Sequence, residues 1–181
     1  GRLITSIEAE KDSRYRHSPV SMPDVFNICG DLEEIPDILC RSGWWPGNTG
    51  LSEQQSASGY HGIDDIIVGK KWLFGKKINF FSSSHERSHI LCAFGMSNLP
   101  KGTPCYALIW EGVIGAFYKI NAELNITKLA DVMPEPGHRY ALLYGIADPT
   151  FDKKVAEFSR FSDAGKLMAL ASFSKRSVPS D

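Results

Sequence analysis

His85-Glu86-Arg87-Ser88-His89 places two imidazoles four residues apart. On a helix that spacing projects both rings from one face, one turn apart, where they can share a metal ion. The stretch also spells HExxH, in which a zinc protease uses two histidines as ligands and the glutamate as general base. Glu111 lies 22 residues beyond His89 and is a carboxylate available as a third ligand. Two other readings stand beside these. A histidine pair near a helix start can simply serve the cap and the solvent, and metal-ligating histidines occur in chemistries other than proteolysis.

The elements around the pair argue against the protease. Asn79-Phe80-Phe81-Ser82-Ser83-Ser84 reads as the end of a strand followed by a cap, whereas the protease motif sits inside a long helix. Lys77–Phe81 is the predicted strand. Ser84 is the predicted N-cap, with Ile90, Leu91, Ala93 and Phe94 continuing an apolar helix. His85 then occupies the first turn and His89 the second. Cys105–Trp110 and Val113–Ile120 read as two strands joined at Glu111-Gly112, a hairpin. Leu3–Ala9 alternates as a short strand, and Ser21–Leu39 has helical spacing through Val25, Ile28, Cys29 and Leu32. Gly43–Gly62, with Trp44-Trp45-Pro46-Gly47, reads as a long irregular connection, and Ile63–Phe74 fits either helix or strand. Leu142–Ile146, Lys153–Phe161 and the apolar Gly165–Phe173 segment suit helices. Strands, a hairpin and helices in this order predict an α/β domain.

With 181 residues, 43% hydrophobic and 23% charged, the chain can bury a core. A formal net charge of −1 gives no electrostatic reason to expect nucleic acid or an anionic membrane as partner. No apolar run approaches the roughly 20 residues that span a bilayer, and no signal peptide is evident, so a cytoplasmic location is expected. Cys29, Cys40, Cys92 and Cys105 form no C-x-x-C pair and are expected as buried free thiols.

Several blocks in the same order resemble one family. His85-Glu86-Arg87-Ser88-His89-Ile90-Leu91-Cys92-Ala93-Phe94 resembles the HHxxHAxSAF block of the O-carbamoyltransferases related to nodulation-factor and antibiotic-tailoring enzymes. Ala107-Leu108-Ile109-Trp110-Glu111-Gly112 is similar to that family's apolar strand ending in Asp-Gly. Gly1-Arg2-Leu3-Ile4, with the charged run from Glu8 to His17, resembles its opening block ending in R-x-K-H. Gly165-Lys166-Leu167-Met168-Ala169-Leu170-Ala171-Ser172-Phe173 resembles its G-K-V-M-G-L-A-P-Y block.

The resemblance implies a ribonuclease-H-like lobe of the actin/sugar-kinase/Hsp70 superfamily, a mixed sheet flanked by helices. Residues 1–173 would form a single incomplete lobe and 174–181 a polar tail. It implies transfer of a carbamoyl group from carbamoyladenylate, made from carbamoyl phosphate and ATP, to a hydroxyl of a small molecule. His85, His89 and Glu111 become the expected ligands of a divalent metal, Fe2+ or alternatively Zn2+. Arg14, Arg16, His17 and Lys166 become the expected phosphate or nucleotide contacts, since guanidinium groups grip phosphate oxygens in pairs. The expected partners are a second lobe and an adenylate-forming domain of the same polypeptide, with self-association through uncovered apolar surface; the chain alone is expected to be inactive. Three positions depart from the family pattern: Glu86 stands for a histidine, Glu111 for aspartate and Arg16 for lysine. These departures leave a non-catalytic nucleotide- or partner-binding lobe as the alternative.

Overall fold

The computed structural model describes residues 3–7, 21–45, 57–147 and 161–173. They belong to two compact units, residues 1–99 and 100–181. The architecture is α/β, with one mixed and one antiparallel sheet and helices in both units.

The first unit opens with helix α1, Met22–Leu32. Ser21 caps it reciprocally: its hydroxyl accepts from the Asp24 N–H, and the Asp24 carboxylate accepts from the Ser21 N–H at 2.6 Å. Those bonds favour the ionised carboxyl and hold Asp24 below its ordinary range. The helical spacing ran to Leu39, but the helix ends at Leu32. Glu33 turns left-handed at φ 53° and returns its N–H to the Gly30 carbonyl. Pro36 follows, and a helix cannot continue through it. The predicted strand from Leu3 is also corrected. Among the described residues Leu3–Ile7 pair with no strand, and Leu3 and Ile4 are exposed; alternation makes a strand only where a partner offers a ladder.

Strands β1 (Ile38–Ser42), β2 (Ile66–Leu73) and β3 (Lys76–Ser83) form a sheet ordered β1-β3-β2. β3 is central, parallel to β1 and antiparallel to β2. Its buried Ile78, Phe80 and Ser82 share one face, as a period of two requires. The ambiguous Ile63–Phe74 segment is therefore largely strand. It turns into β3 through Phe74 (φ 49°) and Gly75 (φ 77°), the two positive dihedrals of a tight hairpin turn. Phe26 of α1 meets the Phe74 ring edge-on at 4.6 Å. Helix α2, His85–Met96, leaves β3 after one residue.

The second unit holds the meander β4 (Cys105–Trp110), β5 (Gly115–Ile120) and β6 (Ile126–Asp131). Ala116, Tyr118 and Ile120 of β5, with Ile109, Ile114, Ile126, Ala141 and Ala164, are its buried hydrophobic residues among those described. The hairpin turn is longer than its sequence suggests. Glu111 donates its N–H to the Ile114 carbonyl at 2.9 Å, so 111–114 form the loop and the second strand begins at Gly115, not Val113. Helices α3 (Pro136–Ala147) and α4 (Phe161–Ser172) pack together. No helix among the described residues is long and apolar enough to cross a membrane. All four cysteines are free, but Cys40 and Cys92 are exposed and Cys29 and Cys105 only partly covered. Apolar sequence neighbours do not bury a thiol when it lies on the outward face of an edge strand, as Cys40 does in β1.

Candidate metal centre

The start of α2 is built from the sheet end and from loop 57–65. Ser84 is the N-cap, its hydroxyl accepting from the Arg87 N–H at 3.0 Å. The Ser84, His85 and Glu86 N–H groups donate to the carbonyls of Asp65, Gly59 and Tyr60 at 3.0, 3.1 and 3.0 Å. Every N–H that a helix start leaves without an intrahelical partner is thus satisfied by protein. The loop is held from its own side too. Gly59 donates to the Asp65 carboxylate at 2.6 Å, and Ile63 accepts from the Arg87 guanidinium at 2.6 Å. Gly43 lets β1 run against this loop. A Cβ there would lie 2.1 Å from the Gly59 carbonyl oxygen and 2.4 Å from that of Ser58.

Glu86 is 4% exposed and takes the Gly62 N–H on Oε2 at 2.8 Å, with His61 Nδ1 3.9 Å away. Its carboxylate therefore clasps the loop. A protease base must face a metal-bound water, and the motif would lie within a long helix; here it starts a 12-residue helix directly after a strand. The protease reading is rejected on that geometry.

The two predicted histidines do meet. His85 Nε2 and His89 Nε2 are 3.0 Å apart, with ring planes at 84°. His85 is half-buried and His89 exposed. Burial, then the neighbouring His89 and His61, push the His85 imidazole down from 6.5 to about 4. At neutral pH it is uncharged and offers a lone pair, the form a metal requires. Two nitrogens each about 2.1 Å from one ion are separated by about 3.0 Å at a right angle and about 3.4 Å at the tetrahedral angle. The observed spacing therefore fits adjacent ligands of a five- or six-coordinate ion, and it also fits one imidazole donating to the other.

The remaining expected residues are placed as follows. Glu111 is half-buried in the β4–β5 loop of the second unit. That loop is tied to the start of α3, with Glu135 and Gly137 N–H groups donating to the Val113 and Gly112 carbonyls at 3.3 and 3.0 Å. Lys166 lies in α4 with its ammonium over the Tyr144 ring, 5.2 Å from the centroid. Arg14, Arg16 and His17 lie outside the described residues. The aromatic cluster beside His85 was missed from sequence: Trp44 and Tyr60 meet the His85 ring, and Trp45 and His61 pack on Tyr60 and on each other. The signal was present in Trp44-Trp45 and Tyr60-His61, but both pairs lie in what read as an irregular connection.

The chain is 44% identical over 172 residues to a 3'-hydroxymethylcephem-O-carbamoyltransferase of Amycolatopsis lactamdurans. It is 43% identical over 174 residues to the protein of the same name from Streptomyces clavuligerus. Each match covers 95% of this chain and 33% of the relative, so the chain spans about a third of the length of these relatives. No family model matches the chain. No solved structure matches it. On identity sustained across nearly all of its residues, the chain belongs to the O-carbamoyltransferases.

Proposed function

We propose that this chain is the part of an O-carbamoyltransferase that binds a divalent metal through His85, His89 and Glu111. The observation that carries the reading is the approach of two imidazole nitrogens to 3.0 Å at the start of α2, one of them held neutral. Bound there, Fe2+ or Zn2+ would supply Lewis-acid polarisation of a carbonyl and stabilise charge developing on oxygen. The chain's own share is positional. The Ser84 cap and the loop carbonyls fix the helix start, and the helix fixes the spacing of the two rings. Glu111 is offered by a loop tied at two points to α3.

The reaction we propose joins a substrate hydroxyl oxygen to the carbamoyl carbon of carbamoyladenylate. The bond to the phosphate oxygen breaks, AMP leaves and the hydroxyl proton is lost to solvent or to a base. Carbamoyladenylate would come from carbamoyl phosphate and ATP in an adenylate-forming domain of the same polypeptide, in the cytoplasm where both are present. Arg14, Arg16, His17 and Lys166 are the proposed contacts to phosphate or nucleotide. The proposed frame is a ribonuclease-H-like lobe of the actin and sugar-kinase kind, completed by a second lobe. The relatives act, by their names, on a 3'-hydroxymethylcephem, so a hydroxymethyl group on a small cyclic molecule is the proposed acceptor.

The test uses the whole polypeptide that carries this chain, with carbamoyl phosphate, ATP and a 3'-hydroxymethylcephem. Carbamate ester should form and AMP accumulate, and His85→Ala, His89→Ala and Glu111→Ala should each reduce turnover at least a hundredfold. Wild-type turnover that survives His89→Ala and metal chelation removes the metal from the reaction. Binding of nucleotide without any ester, across a panel of hydroxyl acceptors, points instead to a non-catalytic binding lobe.

A further inference from the structure

The ring of His85 is clamped by side chains to which the ligand reading assigns no role. Tyr60, 6% exposed, lies almost flat against the imidazole, with centroids 4.4 Å apart and planes at 25°. Trp45 stacks on Tyr60 at 4.2 Å and 10°. Two rings stacked on one ring at such distances must occupy its two faces, so Tyr60 is sandwiched between Trp45 and His85. Trp44 then meets His85 edge-on at 4.8 Å and 82°, and Tyr60 at 5.4 Å and 64°.

An unrestrained imidazole rotates broadly about its Cβ–Cγ bond, and half of that rotation exchanges ring nitrogens with ring carbons. A flat neighbour at 4.4 Å blocks the rotation, because a ring turned on edge would enter the Tyr60 π-face. Trp45 backs the opposite face of Tyr60. Its backbone is fixed from α2 as well: its carbonyl accepts from Glu86 N–H at 3.0 Å, and Glu86 Oε2 accepts from Gly62 N–H at 2.8 Å. One helix thus carries both histidines and the two anchors of the residue that orients one of them.

We propose that Tyr60 is the positioning residue of the site, holding the His85 ring so that Nε2 faces His89, with Trp45 as its backing. The proposal rests on the reading of His85 as a metal ligand for its consequence, though not for the ring orientation itself. A ligand whose ring is free to turn loses orientational entropy on binding, and loss of groups that orient a ligand weakens metal affinity by roughly 10–100-fold.

The experiment compares wild type, Tyr60→Phe, Tyr60→Leu, His89→Ala and Ile78→Val, each in the full chain. Ile78 is 1% exposed in β3 and controls for general destabilisation. Co2+ alone is titrated and followed by its d–d absorption, and the metal-free imidazoles are observed by two-bond 1H–15N correlation. Tyr60→Phe, which keeps the ring, should bind Co2+ within twofold of wild type. Tyr60→Leu should raise Kd by 10–100-fold and change the His85 nitrogen shifts in the metal-free protein, while Ile78→Val changes neither. Tyr60→Leu with wild-type affinity and wild-type imidazole shifts overturns the proposal, as does an equal loss in Ile78→Val. If wild type binds no Co2+ but Tyr60→Leu still alters the His85 shifts, the ligand reading fails and the positioning role stands.

Discussion

Removing the Glu86 carboxylate should unfasten the first unit without touching any ligand. Glu86→Ala deletes the 2.8 Å bond from Gly62 N–H to a charged acceptor, a type of bond that contributes about 1.5–3 kcal/mol. It also removes a favourable negative charge from the first turn of α2, about 0.3–1 kcal/mol, and one buried methylene at about 0.8 kcal/mol. Two effects offset these losses. A buried carboxylate no longer has to be desolvated, and the exposed Gly62 can take water in exchange. The expected net is a loss of about 2 kcal/mol, or a fall of roughly 4–8 °C in midpoint for a chain of this size. Glu86→Gln keeps an acceptor oxygen and should lose about half as much. The assay is urea and thermal unfolding followed by tryptophan emission, which favours the first unit because Trp44, Trp45 and Trp72 all lie there. Wild-type midpoints for Glu86→Ala would refute the clasp. So would a large loss of carbamoyl transfer in a stably folded Glu86→Gln, since that would give the carboxylate a part in the chemistry.

Two further outcomes follow from the same region. In metal-free protein the unfolded chain binds a proton at His85 near 6.5 and the folded chain only near 4, so stability is full above 6.5 and declines as pH falls toward 4. The linkage is at most about 3 kcal/mol, which solvent screening of a half-exposed ring reduces to about 1–2; urea midpoints between pH 7.5 and 4.5 should show the decline, which His89→Ala should lessen, and a flat or rising profile contradicts it. Gly43→Ala puts a Cβ onto two backbone carbonyls, so β1 must part from loop 58–59; a loss of about 2 kcal/mol or more is expected by urea unfolding, with tryptophan emission shifted to the red as Trp44 leaves Tyr60, and unchanged values contradict the close approach.

The local part of the site was legible in the residues. Ser84 announced a cap, and the strand before it argued against a protease before any geometry was known. The four-residue spacing placed both imidazoles on one face. Other elements were misread for physical reasons that can be named. Leu3–Ile7 alternates like a strand but joins no ladder among the described residues. The apparent helix to Leu39 stops at a left-handed Glu33, a conformation glutamate adopts only when the surrounding chain imposes it. Strand β6 escaped notice because Ile126–Asp131 buries only Ile126, leaving no alternation to read.

What the sequence by itself determined is whatever depends on neighbours along the chain: the Ser84 cap, the turn-by-turn spacing of His85 and His89, and the order of motifs that relates this chain to the carbamoyl-transferring enzymes. What only tertiary structure decided is the surroundings of those histidines. Tyr60 comes from a loop 25 residues before His85, and Trp45 from one 40 residues before it. Glu86 is a clasp rather than a base because Gly62 happens to fold against it. Such contacts depend on chain closure between distant residues, and no local propensity or spacing encodes where a closed loop will place a ring.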